Sequence, residues 1–252
     1  MRRTADESLG RKPQEYADIS RFSDDGFRQW GKQKILAVNW GSNIYKSPCL
    51  KGGDTQMNEI TSLKDKKLGI AICGSFCTFS KTFEQMIKLK AAGAELTPIM
   101  SYHASSLDTR FGTAEENIMT AESICGRGVI NTIPLAEPVG PKKMFDLLIV
   151  APCTGNTLTK LAAGITDTPV TMAVKSHLRN GRPVLIAVST NDALSAAAKN
   201  IGSLLNIKNI YFVPFRQDDF IKKPTSAVAD FSQIPAAAIA ALEGRQLQPI
   251  LA

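Results

Sequence analysis

The chain has 252 residues, 44% hydrophobic and 21% charged, enough to bury one α/β domain or two small ones and too apolar for a disordered polymer. Its formal charge is +7, but the basic residues are scattered in short pairs such as Lys66-Lys67, Lys142-Lys143 and Lys222-Lys223. No basic stripe interleaves with aromatics, which argues against nucleic acid; a small anion suits the balance, and so does a solvated basic surface.

Residues 1–56 hold both tryptophans, Trp30 and Trp40, and sustain neither a strand nor a helix period. They read as a disordered extension, or as upstream sequence carried by a misassigned start, with the domain proper spanning 57–252 from Met57. The arginines near the N-terminus precede no apolar core of a secretory signal. No apolar run approaches the ~18 residues of a membrane span. The five cysteines, Cys49, Cys73, Cys77, Cys125 and Cys153, form no CxxC pair and no zinc spacing, so no metal site is expected and the economical reading is reduced thiols in a cytosolic protein.

From Lys66 the pattern is regular. Leu68–Cys73 is apolar without alternation, the mark of a strand buried on both faces. Gly74-Ser75 turns the chain, Thr78–Ala92 carries apolar residues near helical spacing, and Gly93 stops it. Glu95–Met100 is a second strand, followed by a polar loop over Ser101–Thr113 and a helix over Ala114–Cys125. Val129–Ile133 reads as a short strand and Phe145–Ala151 as a long buried one. Helices follow over Asn156–Ala163 and Val170–Leu178, then a strand over Val184–Ser189, a helix over Ala193–Leu205, a strand over Ile210–Val213 and an alanine-rich helix over Ile234–Glu243. This alternation predicts an α/β, Rossmann-like three-layer fold: a parallel sheet with helices on both faces.

In such sheets ligands bind beyond the carboxyl ends of the strands. Three strand ends carry polar groups. After Cys73 comes Gly74-Ser75-Phe76-Cys77-Thr78-Phe79-Ser80, where a glycine lets backbone N–H groups approach an anion and a helix N-terminus adds its dipole; Ser75 and Thr78 as plain helix caps fit equally well. The second end is Ala151-Pro152-Cys153-Thr154-Gly155-Asn156-Thr157, whose Asn156 can donate and accept, or which is simply a turn and cap. The third is Val188-Ser189-Thr190-Asn191-Asp192, again a site or a cap. The chain has no G-x-G-x-x-G, no acidic residue after strand 2 and no G-x-x-x-x-G-K-[ST], which argues against a dinucleotide in the usual pose and against a P-loop.

The Gly74-Ser75 turn, the Pro152-x-x-x-Asn156-Thr157 run with its later Gly164 and Asp167, and the Asn191 strand end resemble the flavoprotein family of phosphopantothenoylcysteine decarboxylases, peptidyl-cysteine decarboxylases and flavin prenyltransferases. The resemblance covers residues 67–215. It implies an FMN-binding domain, a homotrimer or a multiple of it, with flavin at the contact between copies. The implied cofactor set is Gly74, Ser75, Thr78 and Ser80 around the phosphate, with Thr154, Asn156, Thr157 and Asn191 near the ring or the substrate. One feature departs from the family: the decarboxylases carry a histidine where this chain reads Thr132-Ile133-Pro134-Leu135, which disfavours, as an alternative, an FMN-dependent decarboxylase.

Within the family, the Cys-Gly-Ser-Phe-Cys-Thr-Phe, Ala-Pro-Cys-Thr-Gly-Asn-Thr and Val-Ser-Thr-Asn-Asp runs are most similar to the dipicolinate synthase branch of spore-forming bacteria. That likeness implies oxidation of a dihydrodipicolinate-type intermediate in the mother cell, with a partner, the A subunit of dipicolinate synthase, supplying the NAD(P)-binding domain. The substrate is a small anionic dicarboxylate. In the loop after strand 2, Arg110 could clamp a carboxylate and His103 could move a proton; a surface arginine and a backbone-satisfied histidine are the bland readings. Arg216, Lys222 and Lys223, with Asp218 and Asp219, read as a solvated charged segment. Phe76 could wall a cofactor, whereas Phe79 reads as core. A further alternative is a non-catalytic scaffold that only supports the partner.

Overall fold

The computed structural model describes residues 63–251, which lie within one compact unit spanning 51–252. The expectation of an extension over 1–56 with a start at Met57 lies outside the described residues, as does Cys49.

Three apolar runs build the centre of the sheet. Strand β1 (Lys67–Ile72) is buried from its second residue on, β3 (Leu147–Cys153) is buried throughout, and β4 (Val184–Thr190) is buried except at its last residue. β2 (Glu95–Met100) flanks β1 in parallel, with Leu68 opposite Leu96 and Ile72 opposite Met100. On its other side β1 pairs in parallel with β3, and β3 with β4. β5 (Ile210–Phe212) adds in parallel to the first half of β4, giving the order 2-1-3-4-5. No strand in this set alternates apolar with polar, because helices cover both faces.

Helices fill the crossovers. They are α1 (Phe79–Ala91), α2 (Tyr102–Ser106), α3 (Ala114–Cys125), α4 (Ile133–Ala136), α5 (Gly155–Ala162), α6 (Pro169–Leu178), α7 (Ala198–Leu205) and α8 (Ile234–Leu242). Their ends are set by local chemistry. Thr113 and Glu116 form a capping box at α3, and Gly126, at φ 68°, closes it. Thr168 and Thr171 form another at α6, with Pro169 in the first turn where no N–H is needed. Gly93, at φ 87°, ends the turn after α1.

The structure corrects several sequence expectations. The sheet is not purely parallel: β6 (Phe215–Arg216) and β7 (Ala227–Ala229) form an antiparallel pair, and β7 pairs antiparallel with the end of β4, Ser189 opposite Val228. Two- and three-residue strands are too short to carry a period, which is why they escape a sequence reading. Val129–Ile133 is no strand; Ile130 makes a single bridge to Ile99, and Ile133 opens α4. The loop after β2 contains α2, whose one turn is capped by Ser101 rather than marked by apolar spacing. α7 begins at Ala198, five residues later than expected, because Asp192 holds the preceding stretch in turns through its carbonyl, which accepts from the N–H groups of Ser195 and Ala197.

Candidate functional site at the switch point of the sheet

In a 2-1-3-4-5 sheet the chain leaves β1 toward one side and β3 toward the other, so their carboxyl ends open a crevice between diverging connections. The Cys73 N–H donates to the Pro152 carbonyl at 3.2 Å, drawing the two strand ends together. Beyond β1 the turn is tight, with the Ser75 N–H donating back to the Cys73 carbonyl at 2.7 Å. A short 3-10 turn, Phe76–Thr78, then leads into α1. The N–H groups of Gly74, Phe76 and Cys77 meet no acceptor among the described residues. Free donors gathered at the start of a helical run form a cradle for an anion.

Ser75 caps nothing. Its hydroxyl lies 2.9 Å from that of Ser189 on β4, so the first strand end is tied to the third. Thr78 is buried, and its hydroxyl donates to the Ser75 carbonyl at 2.8 Å; that donor is spent on holding the turn. Ser80 is exposed in the first turn of α1.

Beyond β3, the Thr154 hydroxyl accepts from the Thr157 N–H and caps α5. Gly155 is needed for a close approach: a β-carbon there would lie 2.6 Å from Asp192 Oδ1 and 2.7 Å from Thr190 Oγ1. Asp192, whose Oδ1 also accepts from the Thr190 hydroxyl, thus brings a carboxylate to the N-terminus of α5, where the helix dipole favours it. Asn191 faces other work. Its carbonyl accepts from Thr225 and its side-chain oxygen accepts from Ser226 at 3.5 Å, which fastens the β6–β7 segment to the end of β4.

Between these ends lies a cavity of about 430 Å³ lined by Gly74, Ser101, Tyr102, His103, Thr154, Asn156, Thr157, Lys160, Asp167 and Thr168. The volume falls in the usual range for small-molecule sites, about 300–1,000 Å³. Of the residues singled out in the sequence, Gly74, His103, Thr154, Asn156 and Thr157 come together here, with Ser75 at the adjoining turn. Arg110 does not join them; it is exposed, and its guanidinium stacks over the Phe111 ring, 4.8 Å from the centroid.

Lys160 and Asp167 also line the cavity; in the sequence Asp167 figures only within the family resemblance, and neither residue is given a role there. The Lys160 ammonium meets both Asp167 oxygens, at 2.9 and 2.8 Å, and this pairing holds the Asp167 carboxyl below the usual carboxylate range. A signal was present: Asn156 and Lys160 stand four apart on α5 and therefore share a face. Beneath the cavity, burial pushes the Cys73 thiol up to about 11, against hydrogen bonding with Thr157 and Thr154. Burial also raises the Cys153 thiol, with Cys73 beside it. Thiols held neutral in this way are not nucleophiles near pH 7.

The free N–H cradle and the roomy polar cavity fit a phosphorylated cofactor. A sequence profile of the Flavoprotein family matches residues 56–241. The chain belongs to the flavoprotein family. It is 44% identical over 192 residues to the B subunit of dipicolinate synthase of Bacillus subtilis (strain 168), an alignment covering 76% of this chain and 96% of that one. The crystal structure of the corresponding dipicolinate synthase B subunit from Bacillus halodurans C matches with a TM-score of 0.70 and 41% identity, over 75% of this chain and 97% of the other. The FMN-dependent cysteine decarboxylase SpaF matches at 0.54 and 23% identity, over 71% and 98%; at that distance the likeness speaks for the fold. No helix among the described residues is long and apolar enough to cross a membrane.

Proposed function

We propose that this chain is the flavin-holding component of a dipicolinate synthase, working in the mother-cell cytoplasm of a sporulating bacterium. With an NAD(P)-binding A subunit it would oxidise a dihydrodipicolinate-type intermediate to dipicolinate. The observation that carries the reading is the polar cavity between the ends of β1 and β3, lined by Gly74, with the free N–H groups of Gly74, Phe76 and Cys77 in the turn that adjoins it. The similarity to the B subunit of dipicolinate synthase over 76% of the chain supports the choice of substrate.

In this reading the Gly74–Cys77 turn and the Ser75 hydroxyl take the phosphate of FMN. Asn156, whose amide makes no hydrogen bond within the described residues, meets the ring edge, and Thr154 and Thr157 form the floor. A bound flavin or nicotinamide supplies a hydride acceptor. Aromatisation of the dihydropyridine releases one hydride and one proton, and the imidazole of His103, on the cavity wall, receives the proton. The expected assembly is a homotrimer or a multiple of it. The decarboxylase alternative lacks its histidine, since α4 opens with Ile133-Pro134-Leu135.

The test is co-expression with the A subunit. Dipicolinate formation is measured with and without added FMN and NADP, for the unaltered chain and for Ser75→Ala and Asn156→Ala. A yellow protein whose flavin is lost or weakened in Ser75→Ala is the expected result. Full dipicolinate formation by a flavin-free complex, unaffected by FMN, would reduce this chain to a scaffold.

A further inference from the structure

Arg110, the arginine that the sequence offers for gripping a substrate carboxylate, lies on the outside, stacked on Phe111. The cavity contains a different cation. Among its lining residues Lys160 is the single side chain of fixed positive charge, set on α5 one turn beyond Asn156. Its stem is mostly buried, with 22% side-chain exposure, while Asp167 is 56% exposed.

We propose that Lys160, held in position by Asp167, is the residue that binds a carboxylate of the substrate in this cavity, and so selects for a dicarboxylate. The proposal rests on the dipicolinate reading above. Three features argue for it. An ammonium has three donors; the two Asp167 oxygens engage two of them, which leaves one free on a side chain that lines the cavity. The partner carboxylate is the solvent-facing member, so it can yield part of its grip when a second anion arrives, and the lysine is never left buried without a counter-charge. The phosphate cradle at Gly74–Cys77 is built from backbone N–H groups and a hydroxyl, and needs no lysine.

The experiment separates two sources of anion, substrate carboxylate and cofactor phosphate. Purified full-length protein is titrated calorimetrically with pyridine-2,6-dicarboxylate and with pyridine-2-carboxylate, in the presence of FMN. FMN and riboflavin affinities are measured separately by fluorescence quenching. For the unaltered protein the dicarboxylate should bind at least tenfold more tightly than the monocarboxylate. Lys160→Met should remove that preference and weaken dicarboxylate binding tenfold or more, Lys160→Arg should restore part of it, and the FMN-to-riboflavin affinity ratio should be unchanged. Undiminished dicarboxylate binding by Lys160→Met overturns the proposal, as does a collapse of the FMN-to-riboflavin ratio, which would assign Lys160 to the phosphate. Absence of any dicarboxylate binding to the unaltered protein also overturns it. The dipicolinate reading itself stands or falls separately, on product formation by the co-expressed complex. Circular dichroism confirms that the variants fold.

Discussion

The hydroxyl of Ser75 and the hydroxyl of Ser189 lie 2.9 Å apart, joining the turn after β1 to the end of β4 across 114 positions of sequence. The bond spans β3, which lies between these strands in the sheet. It ties the turn that carries the free N–H groups to the sheet, so those donors are held in place.

Removing one partner of this bond should therefore have two separable effects. Ser189→Ala should cost about 0.5–1.5 kcal/mol of stability while leaving the Ser75 hydroxyl in place, so flavin affinity falls little. Ser75→Ala should cost a similar amount and weaken FMN binding several-fold more than riboflavin binding. Urea unfolding and fluorescence titration of both variants check this; equal loss of FMN affinity in the two would show that the bond, not the hydroxyl, matters.

Gly155 should tolerate no side chain. Alanine there would place its β-carbon 2.6 Å from Asp192 Oδ1 and 2.7 Å from Thr190 Oγ1, an overpacking that costs about 1–3 kcal/mol. Adding Asp192→Gly in the Gly155→Ala background should recover part of the loss relative to the sum of the single changes. Strict additivity in the double-mutant cycle would mean that the clash is relieved elsewhere.

His177, on α6, should make the protein acid-sensitive. It is fully buried, and its Nε2 donates to the Pro183 carbonyl at 3.0 Å, which leaves Nδ1 as the unprotonated nitrogen, without a partner among the described residues. Burial pulls its pKa down from 6.5 to about 4; the Pro183 carbonyl opposes this, Arg182 adds to it and Asp146 opposes it. Between those values the unfolded chain binds a proton that the folded chain refuses. The stability contributed by neutral His177 is therefore complete above about pH 6.5 and is lost as pH falls toward 4, a change on the order of 3 kcal/mol. Unfolding free energy measured from pH 7.5 to 4 should fall less steeply in His177→Gln; an identical slope would mean that other groups set the acid response.

Thiol chemistry should single out Cys77. Cys73 and Cys153 are buried under the cavity with raised pKa values, and burial raises the Cys125 thiol to about 12, while Cys77 is exposed at the cradle. In a Cys49→Ser background, iodoacetamide should modify Cys77 first, and saturating FMN should slow that reaction by occupying the neighbouring N–H groups. Peptide mass spectrometry with and without FMN measures both, and a rate indifferent to FMN would move the phosphate away from this turn.

Much of the fold was legible because its signals are local. The apolar runs Phe145–Ala151 and Val184–Ser189 read as buried strands, and β3 and β4 lie there; Gly93 marks the end of α1, where its φ is positive. The short β6 and β7 were not legible, since two or three residues cannot carry a period. They exist because β4 outruns β5 and its exposed edge takes up an antiparallel partner.

The site divides in the same way. Gly74, Asn156 and Thr157 could be placed at strand ends from sequence, because the order of apolar runs determines where strands stop. That Arg110 turns outward, that Lys160 and Asp167 close the cavity as a pair, and that Asn191 is occupied by Thr225 and Ser226 were decided only by the tertiary structure. The order and ends of the strands follow from hydrophobic burial along the chain. Which polar side chains share a cavity depends on long-range contacts, such as Ser75 to Ser189 and Gly155 to Asp192, and the linear order of residues carries no record of those distances.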